Sequence, residues 1–139
     1  MDALFTLEVY TPYKLFYSDM VQAIAINLSD GESAVYANHV PFTAPVIPCV
    51  FKIKEKNGEW KTAFTAKGIL EVNHRKTILV SDAAEWPEEI DYERAMKAKE
   101  RAEQILAEGG TFKSDRETFT MALRRANMRI KTREEGVMH

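Results

Sequence analysis

Ile90-Asp91-Tyr92-Glu93-Arg94-Ala95 is the stretch at which the chain changes its pattern, and it decides the fold. Before residue 85, short alternating apolar runs are separated by turn residues, which is typical of β-strands. After Asp91, alanines recur at helical spacing as far as Gly109-Gly110, where a first helix is expected to end. We therefore predict an N-terminal antiparallel β-sandwich over residues 1–86 and a C-terminal antiparallel two-helix hairpin over residues 87–139.

The N-terminal part is expected to fold into a sandwich or flattened barrel of roughly eight to ten short strands. Alternation over residues 5–9 predicts the first strand, and apolar runs over 15–17 and 21–28 predict two more. Three prolines within residues 41–48 predict an edge or a loop, because proline cannot donate to a strand ladder. The sequence Lys56-Asn57-Gly58-Glu59 between β-prone runs predicts a tight hairpin.

The helical part carries clear start signals but few large anchors. Asp91 is a predicted N-cap, and Ser114 to Glu117 match a capping box for the second helix. Burial of a large apolar side chain stabilises a fold by about 1.5–3 kcal/mol, and the second helix offers mainly Phe119, Leu123 and Ile130 for this purpose. We therefore expect a hairpin that is packed weakly enough to separate from the sandwich.

The charge distribution indicates what the chain contacts. The net charge of −2 implies neither a nucleic-acid nor a membrane partner, yet residues 111–133 contain seven basic and two acidic residues. This local basic stripe suits an acidic protein surface. No window approaches the roughly 18 apolar residues of a membrane span, so membrane association is expected only through another subunit. Cys49 is the only cysteine, which excludes an intrachain disulfide and predicts a buried small residue.

The motifs of enzymes are missing from the sequence. There is no glycine-rich phosphate loop and no Gly-x-Ser-x-Gly nucleophile elbow. His39, His74 and His139 are far apart, and none has a second ligand at metal spacing. We predict no catalytic residues and no metal site.

Five short motifs follow one another along the chain and carry a family resemblance. They are Leu7-Glu8-Val9-Tyr10-Thr11-Pro12, the stretch 31–41 with Gly31-Glu32 and Asn38-His39-Val40-Pro41, Lys67-Gly68-Ile69-Leu70-Glu71-Val72, Val80-Ser81-Asp82-Ala83-Ala84-Glu85, and Ile90 to Ala95. In this order they resemble the epsilon subunit of bacterial F-type ATP synthases, which is called delta in mitochondria. Asn38 stands where glycine is usual in the family, and it can still adopt the left-handed conformation.

The resemblance implies a non-catalytic rotor subunit that couples the catalytic head to the membrane ring. In the family, the sandwich lies at the foot of the central stalk and contacts the gamma subunit and the c-ring. The hairpin either folds back on the sandwich or extends toward the alpha and beta subunits, where it blocks ATP hydrolysis. The implied location is peripheral, on the cytoplasmic face of the bacterial plasma membrane.

The resemblance also implies a regulatory ATP site. Several members with the motif at Ile90 to Ala95 bind ATP in the folded hairpin. Here Asp91, Arg94 and Arg101 lie close to one helix face and Arg125 and Arg129 on the next helix, and arginine forks suit phosphate oxygens. The alternative is an N-cap surrounded by solvated charges, and the sequence leaves both interpretations open.

Further residues are implied to be interface residues. Glu32, Asn38 and His39 correspond to the loops that face gamma and the c-ring. Arg124 and Arg133, with the other basic residues of the second helix, correspond to the surface that approaches acidic segments of the beta subunits.

Two other function classes stay open from the residues alone. A stand-alone β-sandwich that binds a ligand or peptide, with a dispensable helical tail, would present an exposed aromatic groove. A nucleic-acid binder using the basic helix is disfavoured, because only one helix is basic and no aromatic residues interleave with its charges.

Overall fold

The computed structural model describes residues 3–109 and 113–137, except for the side chains of Lys113, Ser114 and Val137. The strands are β1 (Phe5–Tyr10), β2 (Leu15–Leu28), β3 (Gly31–Tyr36), β4 (Phe42–Val46), β5 (Cys49–Glu55), β6 (Trp60–Thr65), β7 (Gly68–Val72), β8 (Lys76–Ser81) and β9 (Ala84–Glu85). A 3₁₀ turn (Pro87–Glu89) then leads into helices α1 (Tyr92–Glu108) and α2 (Lys113–Val137). The predicted β-sandwich followed by two helices is confirmed.

The long strand β2 holds the sandwich together. Its first half pairs with β1, and its second half pairs with β3 on one side and β5 on the other. The path β1-β8-β7-β4 returns to β2 through the single pair Leu28–Val46, which closes this part of the sheet. β6 and β9 extend the sheet beyond β5. The prediction of two separate strands over 15–17 and 21–28 was wrong, because the exposed residues between them continue the ladder with β1 instead of turning.

The proline-rich segment also differs from its prediction. Residues 42–46 form β4, which pairs with β7 over its whole length. The Pro45 carbonyl accepts a hydrogen bond from the Ser29 amide at 3.1 Å. Since the nitrogen and carbonyl of one strand residue point to the same side, the proline nitrogen faces away from β7 and costs that ladder no hydrogen bond. The loop expectation was therefore wrong for residues 42–46, whereas the edge expectation fits most of β4, which pairs with β2 only at Val46.

Local sequence signals are confirmed at several turns and caps. Gly58 has a φ of 87° at the β5–β6 hairpin, and Asn38 adopts a left-handed φ of 61°. The Asp91 carboxylate accepts the Arg94 amide at 3.0 Å and caps α1. α1 ends at Glu108 before Gly109. Gly110, the Ser114 side chain of the expected capping box and His139 lie outside the described residues.

The helices form a second layer whose apolar contacts are separate from the sandwich core. The core contains most of the large buried side chains of the strands, among them Leu7, Ile24 and Phe51. A small cluster of Phe64, Ala66 and Ile90, with Met128 packed against it, joins α2 to the sandwich. α2 lies on β5, β6 and the 3₁₀ turn, whereas α1 packs mainly on α2. The described helices contain no apolar stretch long enough to span a bilayer.

The first testable prediction concerns the close contact between β7 and β8. A Cβ atom added at Gly68 would lie 2.3 Å from the carbonyl oxygen of Val80, and backbone atoms cannot rotate away. Gly68→Ala should therefore destabilise the fold by about 1–3 kcal/mol. Urea unfolding followed by circular dichroism measures this, with Lys67→Ala at the exposed neighbouring position as the control. Equal unfolding midpoints for the two variants would contradict the contact.

Candidate functional site

A cleft of about 470 Å³ opens between the two helices and the segment that connects them to the sandwich. It is lined by Glu85, Glu89, Asp91, Arg94, Ala95, Ala98, Ala122, Arg125, Ala126 and Arg129. Of the residues that the sequence suggested for ATP, Asp91, Arg94, Arg125 and Arg129 meet here. Arg101 does not line the cleft; seven residues along α1 place it about 10 Å beyond Arg94.

Arg129 is already engaged within the chain. Its Nε atom donates to Glu85 Oε1 at 2.6 Å, and its guanidinium lies 4.5 Å from the centre of the Phe64 ring. The ion pair and the cation–π contact hold this side chain on the wall formed by β6 and β9. Sequence reasoning missed Glu85 as its partner, because a pairing between residues 44 positions apart leaves no local signal.

Arg94 and Arg125 are differently placed. Within the described part of the chain, neither guanidinium has a hydrogen-bond or ion-pair partner. The three carboxylates around them are occupied: Glu85 by Arg129, Glu89 by the Trp86 amide and Lys14, and Asp91 by the Arg94 amide. The cleft therefore offers two unpaired cations to an anionic ligand such as a phosphate.

Two arginines that the sequence assigned to partner contacts hold α2 in place in this conformation. Arg124 Nε donates to the Pro48 carbonyl oxygen at 2.7 Å, and Arg133 donates to the carbonyl oxygen of Ile90. Together with Arg129, they fasten one side of α2 to the sandwich and the junction. We call these three residues the arginine latch. Their predicted contacts with acidic segments concern an extended hairpin and stay predictions.

The junction before α1 is fixed to the sandwich. The Trp86 ring stacks on Phe16 with centroids 4.5 Å apart, and Lys61 Nζ lies 4.9 Å from the Trp86 ring centre. Glu89 accepts the Trp86 amide at 2.9 Å and forms an ion pair with Lys14 at 3.6 Å. Ile90 is fully buried after it, between Phe64 and Ala66 of the sandwich and Met128 of α2.

The predicted ring-facing residues do not form one group. Asn38 and His39 lie at one tip of the sandwich. There the Asn38 amide donates a hydrogen bond to the His74 carbonyl oxygen at 3.1 Å, and the ring centres of His39 and Phe42 are 5.2 Å apart. Glu32 lies near the start of β3, about 20 Å away if the intervening residues are extended. It lines a second cleft together with Arg124 and Lys131 of α2.

No reactive centre is found in the described residues. Cys49 is buried, and burial raises the pKa of its thiol to about 11, so it stays protonated at neutral pH. Residues 3–109 and 113–136 contain no group of three His, Cys, Asp or Glu side chains arranged to hold a metal ion.

Two family models match the chain in succession. The model described as the ATP synthase delta/epsilon chain beta-sandwich domain matches residues 4–87. The model described as the long alpha-helix domain of the same chain matches residues 88–134.

Individual relatives agree with these models. The chain is 44% identical over 134 residues to the ATP synthase epsilon chain of Caldicellulosiruptor bescii, covering 96% of each protein. It is 41% identical over 131 residues to the epsilon chain of Caldanaerobacter subterraneus, covering 94% of each. Among solved structures, a chain of the Euglena gracilis mitochondrial ATP synthase has a TM-score of 0.79 at 22% identity, over 100% of this chain and 84% of that one. This last likeness shows the fold.

The second testable prediction concerns the pair Glu85–Arg129. Both side chains are about 30% exposed. A hydrogen bond between charged groups contributes about 1.5–3 kcal/mol when shielded, so Glu85→Gln should weaken the docking of α2 by about 1–2 kcal/mol. Hydrogen exchange of the α2 amides measures the change. Glu88→Gln, at an exposed position of the 3₁₀ turn, is the matched control, and equal exchange in both variants would show that the pair does not hold α2.

Proposed function

Because the chain belongs to the delta/epsilon chain family of ATP synthases, and so is a non-catalytic subunit of the rotor stalk, we propose a division of labour between its two layers. The sandwich anchors the subunit to gamma and the c-ring, and the hairpin regulates ATP hydrolysis by leaving the sandwich. The observation that carries this proposal is that α2 is attached through its own small cluster and the arginine latch, outside the sandwich core.

A row of exposed apolar side chains supports the anchoring role. Pro45, Ile69, Val80, Tyr10 and Leu15 are successive register partners across β4, β7, β8, β1 and β2. Ile69 and Val80 are each 54% exposed and Leu15 is 49% exposed. A contiguous exposed apolar row of this kind marks an interaction surface. We call it the apolar row.

We assign the apolar row to the gamma subunit. The helices lie on β5 and β6, so they leave the strands of the row uncovered. The row is therefore accessible whether or not the hairpin is docked, as a permanent anchor requires. Contact with the loops of the c-ring is assigned to the sandwich tip, where Tyr36 and Val40 are 60% and 74% exposed beside Asn38 and His39. Glu32, which lies away from this tip, stays a predicted interface residue.

The hairpin is proposed to act as the regulatory element. When α2 leaves the sandwich, the arginine latch loses its intramolecular acceptors and becomes available to acidic surfaces of the alpha and beta subunits, together with Arg125 and Lys131. In that state the hairpin would occupy the catalytic head and inhibit hydrolysis. The subunit would lie peripherally on the cytoplasmic face of the bacterial plasma membrane, held there by the complex.

A regulatory nucleotide is proposed for the cleft between the helices. The unpaired guanidinium groups of Arg94 on α1 and Arg125 on α2 support this assignment, because a phosphate chain held by both would link the two helices. A ligand that binds only the folded hairpin stabilises that state by mass action. ATP at the cleft would therefore favour the docked, non-inhibitory conformation.

The third testable prediction concerns the apolar row. Ile69→Glu places a charge in the middle of the row and should weaken binding to purified gamma subunit by at least about tenfold, as expected for a central interface residue. Calorimetric titration measures the affinity, and circular dichroism checks the fold. Thr43→Glu adds the same charge at an exposed position of the neighbouring strand, outside the row. Equal affinity for both variants would remove the assignment of the apolar row to gamma.

The fourth testable prediction concerns ATP. Titration of the full-length chain with ATP should give saturable binding, which Arg125→Ala should weaken by about tenfold or more because it removes a charge-assisted hydrogen bond. Arg101→Ala is the matched control, since it removes the same charge outside the cleft. A linear response up to millimolar ATP, or equal losses in both variants, would overturn the nucleotide proposal.

A further inference from the structure

The last turn of α2 lies against the junction at a single residue without a side chain. A Cβ atom added at Gly136 would lie 2.2 Å from Cγ and 2.3 Å from Cβ of Pro87. Both distances are far below any normal carbon–carbon contact. The docked position of α2 is therefore compatible with glycine at 136 and with no larger residue, unless one of the two walls moves.

Pro87, on the sandwich side of this contact, has little freedom to move. Pro87 is buried, and its ring has no rotamer that would take it out of the way. The turn that carries it is closed by the Glu89 amide, which donates to the Trp86 carbonyl at 3.0 Å. Trp86 itself is stacked on Phe16. An added methyl group would therefore displace α2 and leave the junction in place.

Glycine is a poor choice for the helix itself. It loses more backbone entropy than alanine on becoming helical, and it offers no side chain to the neighbouring turns. Gly136 is the second-last residue of α2, where glycine is better tolerated than in the interior, and the fit against Pro87 gives it a packing role there.

We propose that Gly136 is the seat of the hairpin, a position whose missing side chain permits docking and whose substitution releases the helices. Alanine there obstructs the docked position of α2 and leaves the released helix free of the clash, so it favours the released state. Loss of docking is independent of what the hairpin does afterwards. Only the consequence for ATP hydrolysis rests on the proposed function.

The chain carries its own reporter for docking. Its two tryptophans, Trp60 and Trp86, line one cleft of about 400 Å³. Glu135 and Gly136 of α2 form the facing wall of that cleft. Trp60 is already 51% exposed, so the signal comes mainly from the partly buried Trp86, whose ring gains water contact and shifts its emission to longer wavelength when α2 departs.

The test compares full-length Gly136→Ala with the parent chain. The variant should show red-shifted tryptophan emission and an α2 amide exchange that is faster by about tenfold or more, the effect of an overpacked contact. Exchange in β1 to β8 should stay unchanged, which shows that the sandwich is folded. Thr120→Ala, exposed on the same helix, controls for helix propensity. Parent-like fluorescence and exchange in Gly136→Ala would overturn the proposal.

A second-site variant tests the contact itself. Pro87→Gly removes both carbon atoms that the new methyl group would meet, so Gly136→Ala combined with Pro87→Gly should recover parent-like fluorescence and exchange relative to Pro87→Gly alone. Failure of this recovery would contradict a steric seat at Pro87.

Measurements on the assembled complex distinguish the docking role of Gly136 from the regulatory role of the hairpin. Assembled with its partner subunits, Gly136→Ala should lower ATP hydrolysis at least severalfold, since a released hairpin inhibits. Faster exchange together with unchanged hydrolysis would support the seat and overturn the regulatory proposal.

Discussion

The docking of α2 on β6 is the contact on which the arrangement of the two layers depends. Arg129 lies over Phe64 and reaches Glu85, while Arg124 and Arg133 donate to carbonyl oxygens at either side. α1 packs mainly on α2, so it is held down only as long as α2 is. One set of contacts along a single helix face therefore determines the position of both helices.

The chemistry of these contacts is compatible with the proposed separation of the two layers. The apolar cluster under α2 is small and distinct from the sandwich core, so releasing the helices leaves the core intact. Two of the three latch acceptors are neutral carbonyl groups, which water can replace at modest cost once the helix lifts. The junction is attached to the sandwich at both ends, because Trp86 stacks on Phe16 and Ile90 packs with Phe64 and Ala66. The pivot of a moving hairpin therefore lies after residue 90.

The parts of this fold that could be predicted from the sequence are those set by neighbouring residues. Strand alternation, the Asn57-Gly58 turn and the Asp91 cap each depend on a few consecutive positions, and the structure confirms them. The continuity of β2 and the pairing of β4 depend on distant partners, which local pattern does not report. The motif at Ile90 to Ala95 indicated the cleft, yet Arg101 falls outside it.

The remaining features of the site lay beyond sequence reasoning for the same physical reason. The acceptors of Arg124 and Arg133 are backbone carbonyls, which every residue possesses and no motif marks. The role of Glu85 depends on a partner from another element. The importance of Gly136 follows from its closeness to Pro87, which is distant in sequence.

Fastening the hairpin to the sandwich in the assembled complex shows whether its release controls ATP hydrolysis. Lys52 on β5 and Lys131 on α2 are exposed and line one cleft, so cysteines at these positions can be bridged by a short thiol-reactive linker. Cys49 is buried and does not compete. If release of the hairpin inhibits, bridging should raise ATP hydrolysis to the level of a complex whose subunit lacks the hairpin. Equal hydrolysis before and after complete bridging would contradict a regulatory role for its release.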